Sequence, residues 1–447
     1  MPVFVRQPSG AHPLRKVSRV SACPPAVSTP VRSSPTAADF TALLALSMAL
    51  VALGIDIMLP ALGAIRRDLG LPPDSTAVAM LVTAYFLGLA LGQLGYGPAS
   101  DRFGRRPTLF VGYAIYIVGA IVAAFSTSLA MLIASRFVWG IGAAGARVIT
   151  VAVIRDTYEG EAMSRAMSFV MAIFVLVPII APLLGSAILQ VGDWPWVFGA
   201  CVVGALIISV WSWRRLPETL REEHRLELRF RRVLAAARIV VSDRQAFGYG
   251  LAMTALYASF LSYIASSEII IGEALGRPEL FPFIFASIAA IMGGAMLVNA
   301  RIVHRVGTRR LAHGMLLIYL GVAAGFLGMA GVTGGRPPVW AFMVAIGPLL
   351  ASHALLIPNM NTIAMVNMAP VAGTASSVIG AAQIAIGALL GSLIDQAFRG
   401  TILPLATGFV AYGVIALLLI LWVERGHLFQ PLLPPPDPGS LPPVTEG

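Results

Sequence analysis

Three ionisable residues stand in stretches otherwise apolar enough to lie inside a bilayer: Asp56, Arg136 and Arg147. A charge at that depth costs roughly 2.5–3.5 kcal/mol on insertion scales, so each is expected to do something that its lipid-facing neighbours cannot. Asp56 lies nine residues before the end of one apolar stretch near Ile65, and Arg136 eight residues after the start of another near Ser128. Counted from one membrane face, that is equal depth, where an ion pair is feasible. Arg147 follows Arg136 by eleven residues, three near-complete turns, so both guanidiniums leave one helix face. The proton occupancy of a carboxylate so placed depends on its desolvation and on the nearest guanidinium. Movement of Arg136, or arrival of a bound molecule, would therefore load or unload Asp56. The alternative is a permanent salt bridge that fixes two helices.

The elements that must hold these residues follow from composition. The chain has 447 residues, 57% hydrophobic and 12% charged, about half the charged fraction of a soluble domain. That argues against a soluble fold and predicts an all-α polytopic membrane protein. Apolar runs and breaker residues predict twelve transmembrane helices near 40–64, 76–97, 108–125, 128–154, 163–191, 194–213, 246–270, 281–302, 311–331, 338–356, 372–398 and 402–423. Of the 31 basic residues, 24 fall in the tails and even-numbered connections and five on the other side, which predicts a multi-pass protein with both termini cytoplasmic. The net charge of +10 is thus a matter of topology, and no nucleic-acid partner is expected. Cys23 and Cys201 can make neither a disulfide framework nor a Cys-rich metal site.

Five segments are expected: a disordered tail at 1–38 with seven prolines, five basic residues and no acid, a six-helix bundle at 39–213, a cytoplasmic linker at 214–245 with nine arginines, a second bundle at 246–423, and a Pro-rich tail at 424–447. The start also resembles an organellar transit peptide in its arginine and serine content, but its prolines interrupt any amphipathic helix. An internal echo joins the bundles. DRFGRR from Asp101 and HRVGTRR from His304 place Arg305 and Gly307 each 203 residues beyond Arg102 and Gly104. Such pseudo-symmetric repeats put a substrate path at their interface, near the bilayer midplane. GIGAAG at Gly140–Gly145 matches a dinucleotide fingerprint letter for letter, yet it lies inside a span, where close helix packing is the better reading.

GYGPASDRFGRRP, from Gly95 to Pro107, is a tight turn with one carboxylate and three guanidiniums, and Arg105 or Arg106 can pair with Asp156 in VIRD. Together with IDIMLPAL around Asp56, RFVWGIGAAGARV from Arg136, IIAPLLGSA from Ile179, LPETL at Leu216, PNMN at Pro358 and AGTASSVIGAAQ from Ala372, it resembles the major facilitator superfamily. The chain from about Gly54 to Trp422 is similar to the drug:proton antiporter branch, Bcr/CflA type. The resemblance implies alternating access by two six-helix bundles. It implies an inner-gate motif of Gly97, Asp101, Arg102, Gly104, Arg105, Arg106 and Asp156, proton coupling through Asp56 and Arg136, and a helix bend at Pro178, Pro182 and Gly185. Ala181-Pro182 followed by Gly185-Ser186 departs from the usual Gly-Pro and paired glycines, although Pro182 and its small neighbours should preserve the bend. On cavity-lining helices of the family fall Tyr85, Gln93, Tyr257, Asn359 and Gln383. Arg147, Glu268 and His353 are further candidates, with Asp395 similar to Glu268 and His353 better suited to packing.

The expected function is proton-coupled efflux of small amphipathic or apolar compounds across the inner membrane, with the proton as coupling ion and no metal, nucleotide or prosthetic group. A monomer in the lipid bilayer is expected. Import or export of an endogenous metabolite is the nearest alternative. A membrane enzyme would need clustered carboxylates or histidines at one face, and a sensor would need a soluble domain to pass on its signal.

Overall fold

The computed structural model describes residues 37–220 and 230–430, and its long helices follow the apolar runs of the sequence. In chain order the helices are α1 (Ala37–Asp56), α2 (Leu62–Asp68), α3 (Met80–Phe103), α4 (Arg105–Ala124), α5 (Leu129–Thr157), α6 (Gly160–Ile188), α7 (Trp194–Arg215), α8 (Phe230–Ser242), α9 (Arg244–Ile269), α10 (Phe281–Val306), α11 (Thr308–Val332), α12 (Val339–Met365), α13 (Ala372–Gln396) and α14 (Leu403–Val423). Twelve spans among the described residues are long and apolar enough to cross a bilayer, the first made jointly by α1 and α2. The fold class is therefore as expected. Several spans outrun their predicted ends. α3 carries Asp101 and Arg102 inside the helix, and α12 passes through Pro348 and Pro358 to Met365. In a helix bundle, neighbouring groups re-satisfy what proline removes, so a breaker in the sequence need not end the helix.

Most of the tail expected at 1–38, residues 221–229 of the linker and residues 431–447 of the second tail lie outside the described residues. The described part of the linker contains helix α8, whose Ala236 and Val240 are buried while Arg238 is exposed. An i, i+4 apolar pair opposite an arginine is the pattern of a surface helix. α8 packs on α9 and α13.

Glycine sets the packing inside the first half, α1 to α7. A Cβ on Gly140 would lie 2.0 Å from the Tyr85 carbonyl oxygen of α3, and one on Gly142 would lie 2.2 Å from the Tyr116 nitrogen of α4. The GIGAAG stretch thus seats α5 against two neighbours at backbone distance, as the packing reading expects. The halves meet through α3 against α13 and α6 against α10. Their sequence echo is also conformational. Gly104 joins α3 to α4 at φ 102°, and Gly307 joins α10 to α11 at φ 87°, a region that residues with a Cβ rarely enter. The end of the molecule bearing this first turn, Ala37 and Val423 is its basic end.

Candidate functional site

The first span breaks where its charge lies. α1 ends at Asp56, and the chain passes through Ile57 and Met58 into a 3-10 turn, Leu59–Ala61, that contains Pro60. Carbonyls in the last turn of a helix have no amide partner of their own. The fully buried Arg136 uses one of them: its Nη1 donates to the Gly54 oxygen at 2.8 Å, and its Nε donates to the Leu81 oxygen at 3.4 Å. Its guanidinium stands 4.5 Å from the Tyr85 ring centroid and 4.7 Å from that of Trp139, in cation–π geometry. Nη2 has no partner among the described residues.

Asp56 is buried, at 4% exposure, and forms no hydrogen bond or ion pair with a described residue. The ion pair that equal depth makes feasible is therefore not formed. Counting residues fixes height along a helix but not angle around it, and Arg136 meets the Gly54 carbonyl of the break and the Leu81 carbonyl of α3 instead. Tyr85 also differs from expectation. Its hydroxyl donates to the Val51 oxygen at 3.0 Å and its ring is fully buried beneath Arg136, so it braces α1 and does not line a cavity.

Helix α6 stays helical through Pro178 and Pro182, and Gly185 brings it onto the break: a Cβ there would lie 2.1 Å from the Ile57 oxygen and 3.0 Å from Pro60 Cγ. The residue after Asp56 is thus in backbone contact with the helix that meets α10 of the other half.

At the basic end, Arg105 gathers the carboxylates that the turn motif predicts. Its Nη1 donates to Asp101 Oδ1 at 2.5 Å, its Nε to Asp156 Oδ2 at 2.8 Å, and Nη1 also reaches Ser100 Oγ at 2.8 Å. Arg106 Nη2 instead donates to the Trp213 oxygen at 2.7 Å, and Arg102 lies over the Phe103 ring. Glu218 of LPETL completes the cluster. It accepts the Arg105 amide at 2.8 Å and the Arg106 amide at 3.1 Å, so its charge sits at the positive start of α4. In the sequence LPETL contributes only to a family resemblance, although an acid next to a threonine after a long apolar run is the available signal for this role.

The opposite end is joined differently. Arg66 Nη2 donates to Glu268 Oε2 at 2.9 Å, linking α2 to α9 across the two halves, with side-chain exposures of 6% and 15%. In the sequence Arg66 reads only as a flanking charge. A space of about 1060 Å³ beside this pair is lined by Glu268, Arg67 and Trp194, so Glu268 does face a vestibule, though as half of an ion pair.

A second space, of about 740 Å³, lies between the halves toward the basic end. Gln93, Gly97 and Arg147 line it from the first half, Met365 and Ser377 from the second, and Val233 of α8 borders it. Gln93 Nε2 donates to the Ser377 oxygen at 3.3 Å, while its buried Oε1 has no partner among the described residues. Tyr257 packs with Phe260 against His353, whose ring stacks on Phe260 at 4.7 Å. His353 is accordingly a packing residue.

Two of the remaining candidates lie apart from either space. Asn359 Nδ2 donates to Asn299 Oδ1 and to the Leu355 oxygen, both at 2.7 Å, which ties α12 to α10, and Gln383 is buried on α13. Asp395 does not resemble Glu268 in setting, since its Oδ1 accepts the Ser262 and Ser266 hydroxyls within the second half, each at 2.6 Å.

The family model described as Major Facilitator Superfamily matches residues 44–392. A bicyclomycin resistance protein homolog of Haemophilus influenzae is 28% identical over 387 residues, covering 84% of this chain and 93% of the relative. Multidrug resistance protein D of Escherichia coli is 27% identical over 382 residues, covering 84% and 94%. Among solved structures, a D-xylose–proton symporter superposes with a TM-score of 0.66 at 15% identity, covering 86% of this chain and 97% of the symporter. These likenesses agree with the fold and with the drug-resistance branch that the motifs resemble.

Proposed function

Because the chain belongs to the Major Facilitator Superfamily, we propose that it is a proton-coupled exporter of small amphipathic compounds. The basic end would face the cytoplasm, following the distribution of arginines. In that orientation the Arg66–Glu268 pair closes the outer side, and the space bounded by Gln93, Arg147 and Ser377 is where a compound enters from the cytoplasm. The Arg105 cluster with Asp101 and Asp156 is the inner latch, which ties α3, α4 and α5 of the first half together and would favour one facing state.

The observation that carries the coupling is Asp56, buried without a partner among the described residues at a break that touches Gly185 of α6. A lone carboxylate in such a place is costly when charged. Gaining or losing a proton there changes the free energy of the break by an amount that the surrounding backbone must answer. Since Ile57 bears on α6, and α6 on α10, the answer is delivered to the interface between halves. Arg136 holds the break from the other side through the Gly54 carbonyl, so it acts by positioning Asp56 and not by pairing with it. The names of the relatives make bicyclomycin a reasonable first compound. Asp56→Asn in everted vesicles should abolish efflux driven by an imposed pH gradient while the protein still inserts. Normal pH-driven efflux by that variant would remove Asp56 from the mechanism.

A further inference from the structure

Within the space between the halves, the charges are not balanced. Its ionisable lining is Asp101, Arg105, Arg147, Arg155 and Asp156. Both carboxylates are held by Arg105, which leaves one excess negative charge at the mouth, and Arg155 follows there as the chain neighbour of Asp156. Arg147 stands eight residues before Arg155 in α5, about 12 Å deeper. It is half-buried, lies inside a membrane span, and has no hydrogen bond or ion pair with a described residue. A guanidinium keeps its proton, so this charge cannot be relieved by neutralisation as a lysine or histidine could. A permanent, unanswered cation at bilayer depth is the pattern of a site whose counter-charge arrives with the ligand.

A second observation points to the same ligand. Gln93 is 9% exposed and lines the same space; its amide nitrogen is engaged by Ser377, while its oxygen is buried without a donor among the described residues. That oxygen can only accept. The apolar side of a ligand would meet Leu94, Val148, Val151 and Met365, which line the same space.

We infer that the space selects amphipathic monoanions bearing a carboxylate for Arg147 and a neighbouring N–H or O–H donor for Gln93. The inference rests on the transport reading above and narrows its substrate class.

Three dansyl compounds separate its parts when titrated into the full chain in lipid nanodiscs. Dansylglycine carries an aromatic body, one N–H and a carboxylate; its carboxamide lacks the charge; dansylsarcosine keeps the charge and lacks the N–H. A charge-assisted hydrogen bond implies that dansylglycine binds about ten- to a hundredfold more tightly than the carboxamide, and a neutral one implies about a fivefold loss for dansylsarcosine. Arg147→Gln should erase the first difference and Gln93→Leu the second, while Arg147→Lys retains a preference for the acid. Should Arg147→Gln fail to fold, the wild-type comparison and Arg147→Lys still decide. Equal binding of acid and carboxamide by the wild type, or a surviving acid preference in a folded Arg147→Gln protein, would overturn the inference. If the wild type drives pH-dependent efflux of bicyclomycin yet shows no acid preference, the inference falls and the transport reading stands. Acid-selective binding without pH-driven transport of any compound tested would uphold the binding site and overturn the transport reading.

Discussion

Replacing Gly185 by alanine tests whether the break beside Asp56 is mechanically joined to the interface between halves. The added Cβ would lie 2.1 Å from the Ile57 oxygen, whereas a carbon and a carbonyl oxygen settle at about 3.3 Å. Either α6 or the break must therefore retreat by about 1 Å. Forcing one extra carbon into a packed site costs about 1–3 kcal/mol. That loss outweighs the gain of up to about 1 kcal/mol that alanine brings to a helix interior. Gly325 on α11 supplies the control, because nothing lies within 4 Å of its Cβ position and only the helix gain remains. Thermal unfolding of the purified proteins should place Gly185→Ala below wild type and Gly325→Ala at or above it. In everted vesicles, pH-driven efflux should fall for Gly185→Ala even at temperatures where the protein is fully folded. If Gly185→Ala matches the wild type in both stability and transport, the contact is not tight and the route from Asp56 through α6 to α10 is wrong.

Arg105→Lys keeps the charge but cannot reach Asp101 and Asp156 from two sides of one planar group. With Asp101 39% exposed, the loss is expected at about 1–2 kcal/mol, below the 3–5 kcal/mol of a fully buried pair; faster labelling of a cysteine placed at Ser377 would report the loosened basic end, and unchanged labelling would count against a latch. Glu268→Gln and Arg66→Gln should each raise thiol labelling at the opposite end, and the double variant should add little to either, because one partner is already lost. Additive effects would mean that the two residues act separately. Glu218→Gln should lower the thermal midpoint by weakening the start of α4 without changing the acid preference of the central space, and a changed ligand preference would place Glu218 in the binding machinery.

The spans were legible because hydropathy averages over some twenty residues, and the two halves because a long connection separates six spans from six and a turn recurs 203 residues on. The repeated turn was legible too, since Gly104 and Gly307 must be glycine at their φ values, and this requirement survives where the surrounding letters have drifted. Azimuth was not legible. Asp56 and Arg136 are matched by depth, yet Arg136 turns toward Gly54 and the rings of Tyr85 and Trp139, and no count of residues reveals the unwinding at Ile57 that frees the Gly54 carbonyl. Pairing across the halves was equally hidden. Arg66 and Glu268 are 202 positions apart, and although Glu268 reads as a cavity candidate, Arg66 reads in the sequence as an ordinary flanking charge. The α8 helix was obscured by the arginines around it, which dominate composition while Ala236 and Val240 do the packing.

Proton release on ligand binding tests the coupling claim most directly. Purified full-length protein in weakly buffered detergent solution, mixed with bicyclomycin beside a pH-indicator dye, should release about one proton per bound ligand, and Asp56→Asn should bind without any release. Binding by the wild type with no proton exchanged, or undiminished release by Asp56→Asn, would contradict the account.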